Sequence, residues 1–286
     1  MATVGTKEKH LWNERKVIYE DASIVLDTDI RLVKRKYDDL FVPNGYNEIL
    51  IKQERVKGIE SSANKLEKDG HEFTIDNIDR FIHDVVGHRV VLLTKNDVAA
   101  FALLLAKTFC NTPGIRLLGY KDFISNPKAS GYRNLHYRVG ITVMTDDGPK
   151  EVVGEIQMGT LVMYAFAKIE HKLKYKFKNK KSSKVEAVME QLSPQLIAYG
   201  KMGDIIDGLA MKLLTPDVNF ISYEDAIKQI EELIIDSNID CEFEKTATGI
   251  MVKDNFIDDE NVIDGQMEFD SSNDDPKGPV LTKIKK

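Results

Sequence analysis

YRNLHYRVGITVMTDDGPKEVVGEIQM, residues 132–158, is the stretch on which the fold turns. Its first half alternates apolar and polar residues with the period of a strand. Asp146, Asp147, Gly148 and Pro149 make a turn, and KEVVGEIQM returns as a second strand, so the stretch reads as a hairpin at the centre of a sheet. Working back from it, residues 115–124 (IRLLGYKDFI) read as a strand and 125–133 as a polar loop. The apolar segment 95–110 reads as a helix, 88–94 (HRVVLLT) as a buried strand and 75–87 as a helix. Residues 60–70 form a short helix closed by Gly70, 48–57 (EILIKQERVK) a strand, and 29–42 a helix before the turn signal PNGYN.

Working forward, Thr160 is a plausible N-cap for a helix over 161–177. Residues 184–214 continue as helix, with a break at Pro194, and Ser222 with Asp225 resembles a capping box for a helix to about residue 236. CEFEKTATGIMVKD suits a short hairpin, and from residue 256 the acidic, Gly/Ser/Asn/Asp-rich chain predicts disorder. The expectation is an α+β fold: a mixed, largely antiparallel β-sheet flanked by helices. Its expected organisation is an N-terminal helical segment (1–44) packed on a core (45–180), a C-terminal helical extension (181–255) and an acidic tail (256–286).

Composition excludes several classes. Apolar residues make up 42% of 286 and charged residues 30%, which suits a globular chain with a sizeable core. No run approaches a membrane span, the N-terminus lacks an apolar signal core, and two distant cysteines build neither a disulfide scaffold nor a zinc site, so a cytoplasmic setting is expected. Residues 254–286 carry nine acidic residues and four lysines, leaving −1 of the net −6 to the rest. Against that near-neutral background the run from Lys168 to Lys184 holds eight lysines and one glutamate, suited to phosphate or tRNA or to a solvated helix end.

Candidate chemistry falls in clusters. Arg55 and Lys57 share a strand face, and Ser61 and Lys65 share a helix face, a cationic pair of surfaces suited to a polyphosphate or to a plain lysine-bearing surface. Asp84 precedes a buried strand opened by Arg89; the carboxylate suits Mg2+ or an ion pair, and the guanidinium suits a base. His83 and His88, five apart across a helix and turn, are poorly spaced as transition-metal ligands of Asp84's neighbourhood. Lys128, Tyr132 and His136 lie in KASGYRNLH, where Gly131 allows close approach of a ligand and Tyr132 and His136 share strand parity. Glu155 and Gln157 share one face of the returning strand, and a carboxylate there is costly to bury without a partner. Tyr164, Lys168, His171 and Tyr175 line one stripe of the following helix.

In this order RVKGIESSANK, DVVGHRV, YKDFISNPKASGYRNLHYRV and EIQMGTLVMYAFAKIEHKLKYKF resemble the synthetase domain of the RelA/SpoT family, over residues 45–180. The short form looks like a small alarmone synthetase, with a nucleotidyltransferase-like fold. The resemblance implies transfer of a diphosphate from ATP to the 3′-hydroxyl of GDP or GTP. It implies that Arg55 and Arg89 sandwich adenine, that Lys57, Ser61 and Lys65 hold the ATP phosphates, and that Asp84 binds Mg2+. It further implies that Tyr132 stacks on guanine, that Lys128 and His136 contact acceptor phosphate and ribose, and that Glu155 helps hold Mg2+ and acts as base, supported by Gln157.

Two positions depart from the family pattern on the acceptor side: Gly159 stands where an arginine is common, and Tyr164 where short synthetases often carry asparagine. Relatives that are toxins use the same chemistry on the tRNA 3′ end or on adenine nucleotides, which is the alternative reading; an inert nucleotide-binding regulator is a third. A homo-oligomer is a further expectation, since Ile227, Ile230, Leu233 and Ile234 form one apolar helix face that suits either its own domain or a neighbour.

Overall fold

The computed structural model describes residues 6–41, 51–177 and 221–253, with some helical residues between 191 and 209. The elements are α1 (Thr6–Phe41), β1 (Ile51–Val56), α2 (Ile59–Lys68), α3 (Ile75–Phe81), β2 (Val86–Leu92), α4 (Lys95–Phe109), β3 (Ile115–Asp122), β4 (Leu135–Thr145), β5 (Gly148–Thr160), α5 (Leu161–Phe177), α6 (Tyr223–Ser237), β6 (Phe243–Thr246) and β7 (Gly249–Val252). One seven-stranded sheet runs in the order β1-β2-β5-β4-β3-β7-β6. Among the described residues only the β2–β5 pair is parallel. The expected α+β fold with a mixed, largely antiparallel sheet is therefore present.

Alternation gives the sheet two different faces. On one, Val86, Val90, Leu92, Leu135, Tyr137, Val139, Ile156 and Met158 join the main core with residues of α1, α4 and α6. The other carries Arg89, His136, Arg138, Glu155 and Gln157. Thr94 and Asp97 close a capping box at the start of α4, so the most apolar helix is fixed directly after β2.

Several boundaries differ from the sequence reading. The helix expected over 29–42 starts at Thr6, because Trp12, Tyr19, Ala22, Leu26, Ile30, Val33 and Tyr37 continue one buried stripe along it. The helix expected over 75–87 ends at Phe81, since Val86 and Gly87 already pair with β1 and β5. The first central strand begins at Leu135 rather than Tyr132. Lys128, Gly131 and Tyr132 instead form a turn, in which Gly131 N–H donates to Lys128 O at 2.7 Å and Gly131 has φ +86°. Tyr132 and His136 thus meet for a reason other than strand parity.

The expected helix over 223–236 is α6, and it packs within the chain: Ala226, Ile230 and Ile234 are fully buried in the main core, with Ile227 and Leu233 against it. The expected hairpin is β6–β7, which extends the sheet beyond β3. Pro194, placed at an expected break, lies on a helical residue. The acidic tail of 256–286 and the part of the lysine run beyond residue 177 lie outside the described residues.

Candidate active site

Strand register assembles the first half of the site. Gln157 of β5 is paired with Arg89 of β2 on one side and His136 of β4 on the other. Glu155, two residues earlier, is on the same face. A chain of contacts follows. Arg89 Nη2 donates to Gln157 Oε1 at 2.6 Å, and Gln157 Nε2 donates to Glu155 Oε1 at 2.8 Å. Glu155 Oε2 lies 3.3 Å from His136 Nδ1, and His136 Nε2 shares a 2.9 Å hydrogen bond with the Tyr132 hydroxyl. Arg89, His136, Gln157 and Tyr132 are all buried, while the Glu155 side chain keeps 17% exposure. It is the most exposed member of this series of contacts.

The second half is built around Asp84, in the turn between α3 and β2. Lys57 N–H donates to Val85 O at 2.8 Å and ties the end of β1 to this turn. Lys57 Nζ donates to Asp84 Oδ2 at 2.6 Å and Lys65 Nζ to Asp84 Oδ1 at 3.0 Å. Arg55 Nη2 stands 3.9 Å from Oδ2. Burial alone would raise the Asp84 pKa, but the two ammonium groups override it and hold the carboxyl well below its usual range. Burial pushes the Lys57 ammonium down in turn, with Asp84 opposing. Ser61 lies half-buried one turn before Lys65 on α2. The charges of Arg55 and Glu155 both act on Arg89, which links the two halves electrostatically.

Aromatic rings line the rest. The Arg89 guanidinium carbon lies 5.6 Å from the centre of the Tyr164 ring, and Lys168 Nζ lies 5.4 Å from the same ring. Lys128 Nζ sits 4.5 Å from the Phe123 ring centre and 5.4 Å from that of Tyr132. Phe123, Tyr132, Phe166 and Ala167 form a small core of their own. Tyr132 is therefore 1% exposed, its ring packed rather than offered to solvent. Sequence reasoning passed over Phe123 and Asn134. Asn134 Nδ2 donates to the Tyr132 hydroxyl at 3.3 Å; its place two residues from Tyr132 in GYRNLH was the available signal.

All eleven residues singled out for the site fall within residues 54–180, which match the region found in RelA / SpoT proteins. The chain is also 30% identical over 196 residues to the GTP pyrophosphokinase YwaC of Bacillus subtilis, covering 68% of this chain and 87% of that protein. The chain belongs to the RelA/SpoT family. Solved structures agree. A GTP pyrophosphokinase family protein from Streptococcus pneumoniae is 30% identical with a TM-score of 0.55, covering 69% of this chain and 95% of that one. The small alarmone synthetase 2 of Bacillus subtilis is 27% identical with a TM-score of 0.57, covering 72% and 98%.

Within the RelA/SpoT frame the two departures have structural counterparts. A Cβ at Gly159 would stand 2.6 Å from Asn134 Oδ1, so a side chain there must displace the carboxamide that holds the Tyr132 hydroxyl. Tyr164 fills the space over Arg89. Thr160, the expected N-cap, accepts from Met163 N–H at 3.4 Å and starts α5 from the last residue of β5, which sets Tyr164 beside the sheet face. Among the described residues, no helix is long and apolar enough to cross a membrane.

Proposed function

We propose that this chain is an ATP:GTP 3′-diphosphotransferase that makes (p)ppGpp from ATP and GDP or GTP. The observation that carries the reading is a Glu155 held by Gln157 and His136 on the sheet face of Arg89, with Arg55, one of the cations around Asp84, acting on the same Arg89. Family membership and the names of the relatives support it.

The roles follow from charge and position. Lys57, Ser61 and Lys65 hold the triphosphate, and Arg55 and Arg89 flank the adenine. Arg55, Lys57 and Lys65 neutralise Asp84; with ATP bound the two lysines turn toward phosphate oxygens and Arg55 toward the adenine. Lys128 and His136 contact the acceptor, and Tyr132 stacks on its base once the small aromatic core opens toward it. Glu155 accepts the proton of the 3′-hydroxyl, whose oxygen bonds to the β-phosphorus. The bond from that phosphorus to the α,β-bridging oxygen breaks, and AMP leaves with the electron pair. Gln157 and His136 orient the carboxylate.

The donor set of Asp84 and Glu155, carboxylate oxygens only, fits a hard divalent cation such as Mg2+. Asp84 in particular is an ionised, buried carboxylate built to face positive charge. The ion would neutralise the charge that develops on the transferred diphosphate.

Gly159 and Tyr164 support a second reading, the same chemistry on an adenine nucleotide or a tRNA 3′ end, with the lysine run 168–184 contacting RNA. Offering purified protein ATP labelled in its β-phosphate together with GDP, GTP and tRNA at equal concentration separates the two. Labelled guanosine 3′-diphosphates are expected; label on tRNA or adenine nucleotides alone overturns the main reading.

A further inference from the structure

The face of the sheet opposite the nucleotide site carries a second cluster of metal-ligand side chains. Glu54 of β1 is paired directly with His88 of β2, so their side chains lie together on one face. α1 crosses above them and brings down Asp27, one turn after Ser23. An oxygen of Asp27, an oxygen of Glu54 and a ring nitrogen of His88 all lie within 4.8 Å of one another.

His88 supplies an independent sign. Its side chain is 0% exposed. Its Nε2 lies 3.2 Å from Ser23 Oγ, but its Nδ1 is buried with no hydrogen-bond partner. A buried polar atom left in this way costs free energy and calls for a partner. With Nε2–H donated to Ser23, the Nδ1 lone pair is free to ligate, an arrangement common behind metal-bound histidine.

We propose that Asp27, Glu54 and His88 form a binding site for a divalent transition-metal ion, of which Zn2+ is the best fit, on the α1 side of the sheet. One imidazole and two carboxylates suit Zn2+, whereas Mg2+ favours oxygen donors alone. The site is distinct from that of Asp84 and Glu155: Glu155 lies on the other face of the sheet, and Asp84 pairs with Arg55, Lys57 and Lys65. Burial and the nearby Lys52 push the His88 imidazole down to about 3, which keeps it in the neutral, ligating form.

Cationic side chains already sit at the cluster. Lys52 and Arg31 both pair with Asp27, and the Glu54 charge also acts on Lys52. The Lys52 side chain is 21% exposed, so it can withdraw to solvent as the ion enters past the exposed Glu54. A tetrahedral ion holds its ligand atoms about 3.4 Å apart, so atoms that lie within 4.8 Å of one another need only a small approach, within reach of a rotamer change at Glu54. Glu54 adjoins Arg55 and His88 adjoins Arg89, with side chains on alternate faces. An ion here would therefore clamp the two strands that carry the proposed adenine site.

The test is titration of the full chain with Zn2+ by calorimetry and with Co2+ by visible absorption, in saturating Mg2+ to occupy the other face. One saturable equivalent is expected, with the absorption of a low-coordinate Co2+ site and a rise in Tm on adding Zn2+. Glu54→Gln, at an exposed position that leaves folding alone, is expected to weaken binding at least about tenfold. His88→Gln should do so more strongly, and Lys52→Met should tighten it by removing the competing ammonium. Absence of saturable binding up to millimolar Zn2+, or an affinity unchanged in Glu54→Gln, overturns the proposal.

Discussion

Lys57 and Asp84 form a buried ion pair, Nζ to Oδ2 at 2.6 Å, with side chains only 5% and 4% exposed. Each is costly to bury alone, and each is a proposed ligand of the reaction, the lysine for phosphate and the carboxylate for metal. The same contact therefore serves the fold when ligand is absent and the chemistry when it is present.

That double role is separable. Asp84→Asn leaves the buried Lys57 without a full counter-charge and is expected to destabilise the chain by about 3–5 kcal/mol. Adding Lys57→Met should recover much of that in denaturant unfolding, since a buried pair can be replaced by apolar groups. Synthesis should fall by orders of magnitude in Asp84→Asn, with a weakened dependence on Mg2+, since an amide is a poorer ligand for a hard cation. An unchanged Mg2+ titration would make Asp84 structural only.

Glu155→Gln is nearly isosteric and leaves an oxygen for Gln157 Nε2, so melting should be little changed. Diphosphate transfer should be lost, because the amide neither takes the 3′-hydroxyl proton nor carries charge to a metal. Single-turnover assays check this, and near-normal turnover would remove Glu155 from its proposed role.

Tyr132 needs two substitutions because it is packed in the small aromatic core. Tyr132→Ala should raise the acceptor KM by roughly 5- to 150-fold, the worth of about 1–3 kcal/mol of base stacking, and leave the ATP KM nearly unchanged. It should also cost about 3–5 kcal/mol of stability through the cavity. Tyr132→Phe keeps the ring and should hold the acceptor KM within about threefold. An acceptor KM that rises equally in both would place the effect on the hydroxyl and His136 instead.

Tyr137 and Tyr223 are buried phenols, donating to Ala102 O at 3.0 Å and Asp122 Oδ1 at 2.9 Å. Burial first, then neighbours such as Cys110 for Tyr137 and Asp122 for Tyr223, raise both pKa values well above the ordinary one. A raised folded-state pKa means stability that is complete below about pH 10, the unfolded value, and lost as pH climbs toward the folded one. Tyrosinate absorbance from these two rings should therefore appear together with loss of circular dichroism, in one cooperative step above about pH 10. Smooth ionisation of all ten tyrosines with the fold intact would contradict it.

Much of this was legible in the chain itself. The central hairpin, the strands around it, the apolar helix α4 and the caps at Thr160 and Ser222 all rest on neighbours in sequence, where alternation and cap chemistry act over two to four residues. The candidate site residues were legible too, as polar types at strand and turn positions and through the family motifs they compose. An N-terminal helical segment over 1–44 was legible, but the helix itself was placed only over 29–42, because its buried stripe starts from a lone tryptophan in a charged segment.

What tertiary structure alone decided is which of those residues meet. Lys57 lies 27 positions from Asp84 and Arg89 lies 68 from Gln157; both contacts depend on the register of β1, β2 and β5, which no local period encodes. The same holds for Tyr132, whose ring looked available in its loop until Phe123 and Phe166 closed on it. It holds again for His88, poorly spaced for a metal along the chain, which strand pairing sets beside Glu54 and helix docking beside Asp27. Local sequence chose the side chains, and the long-range pairing of strands and the docking of α1, driven by burial of their apolar faces, chose their partners.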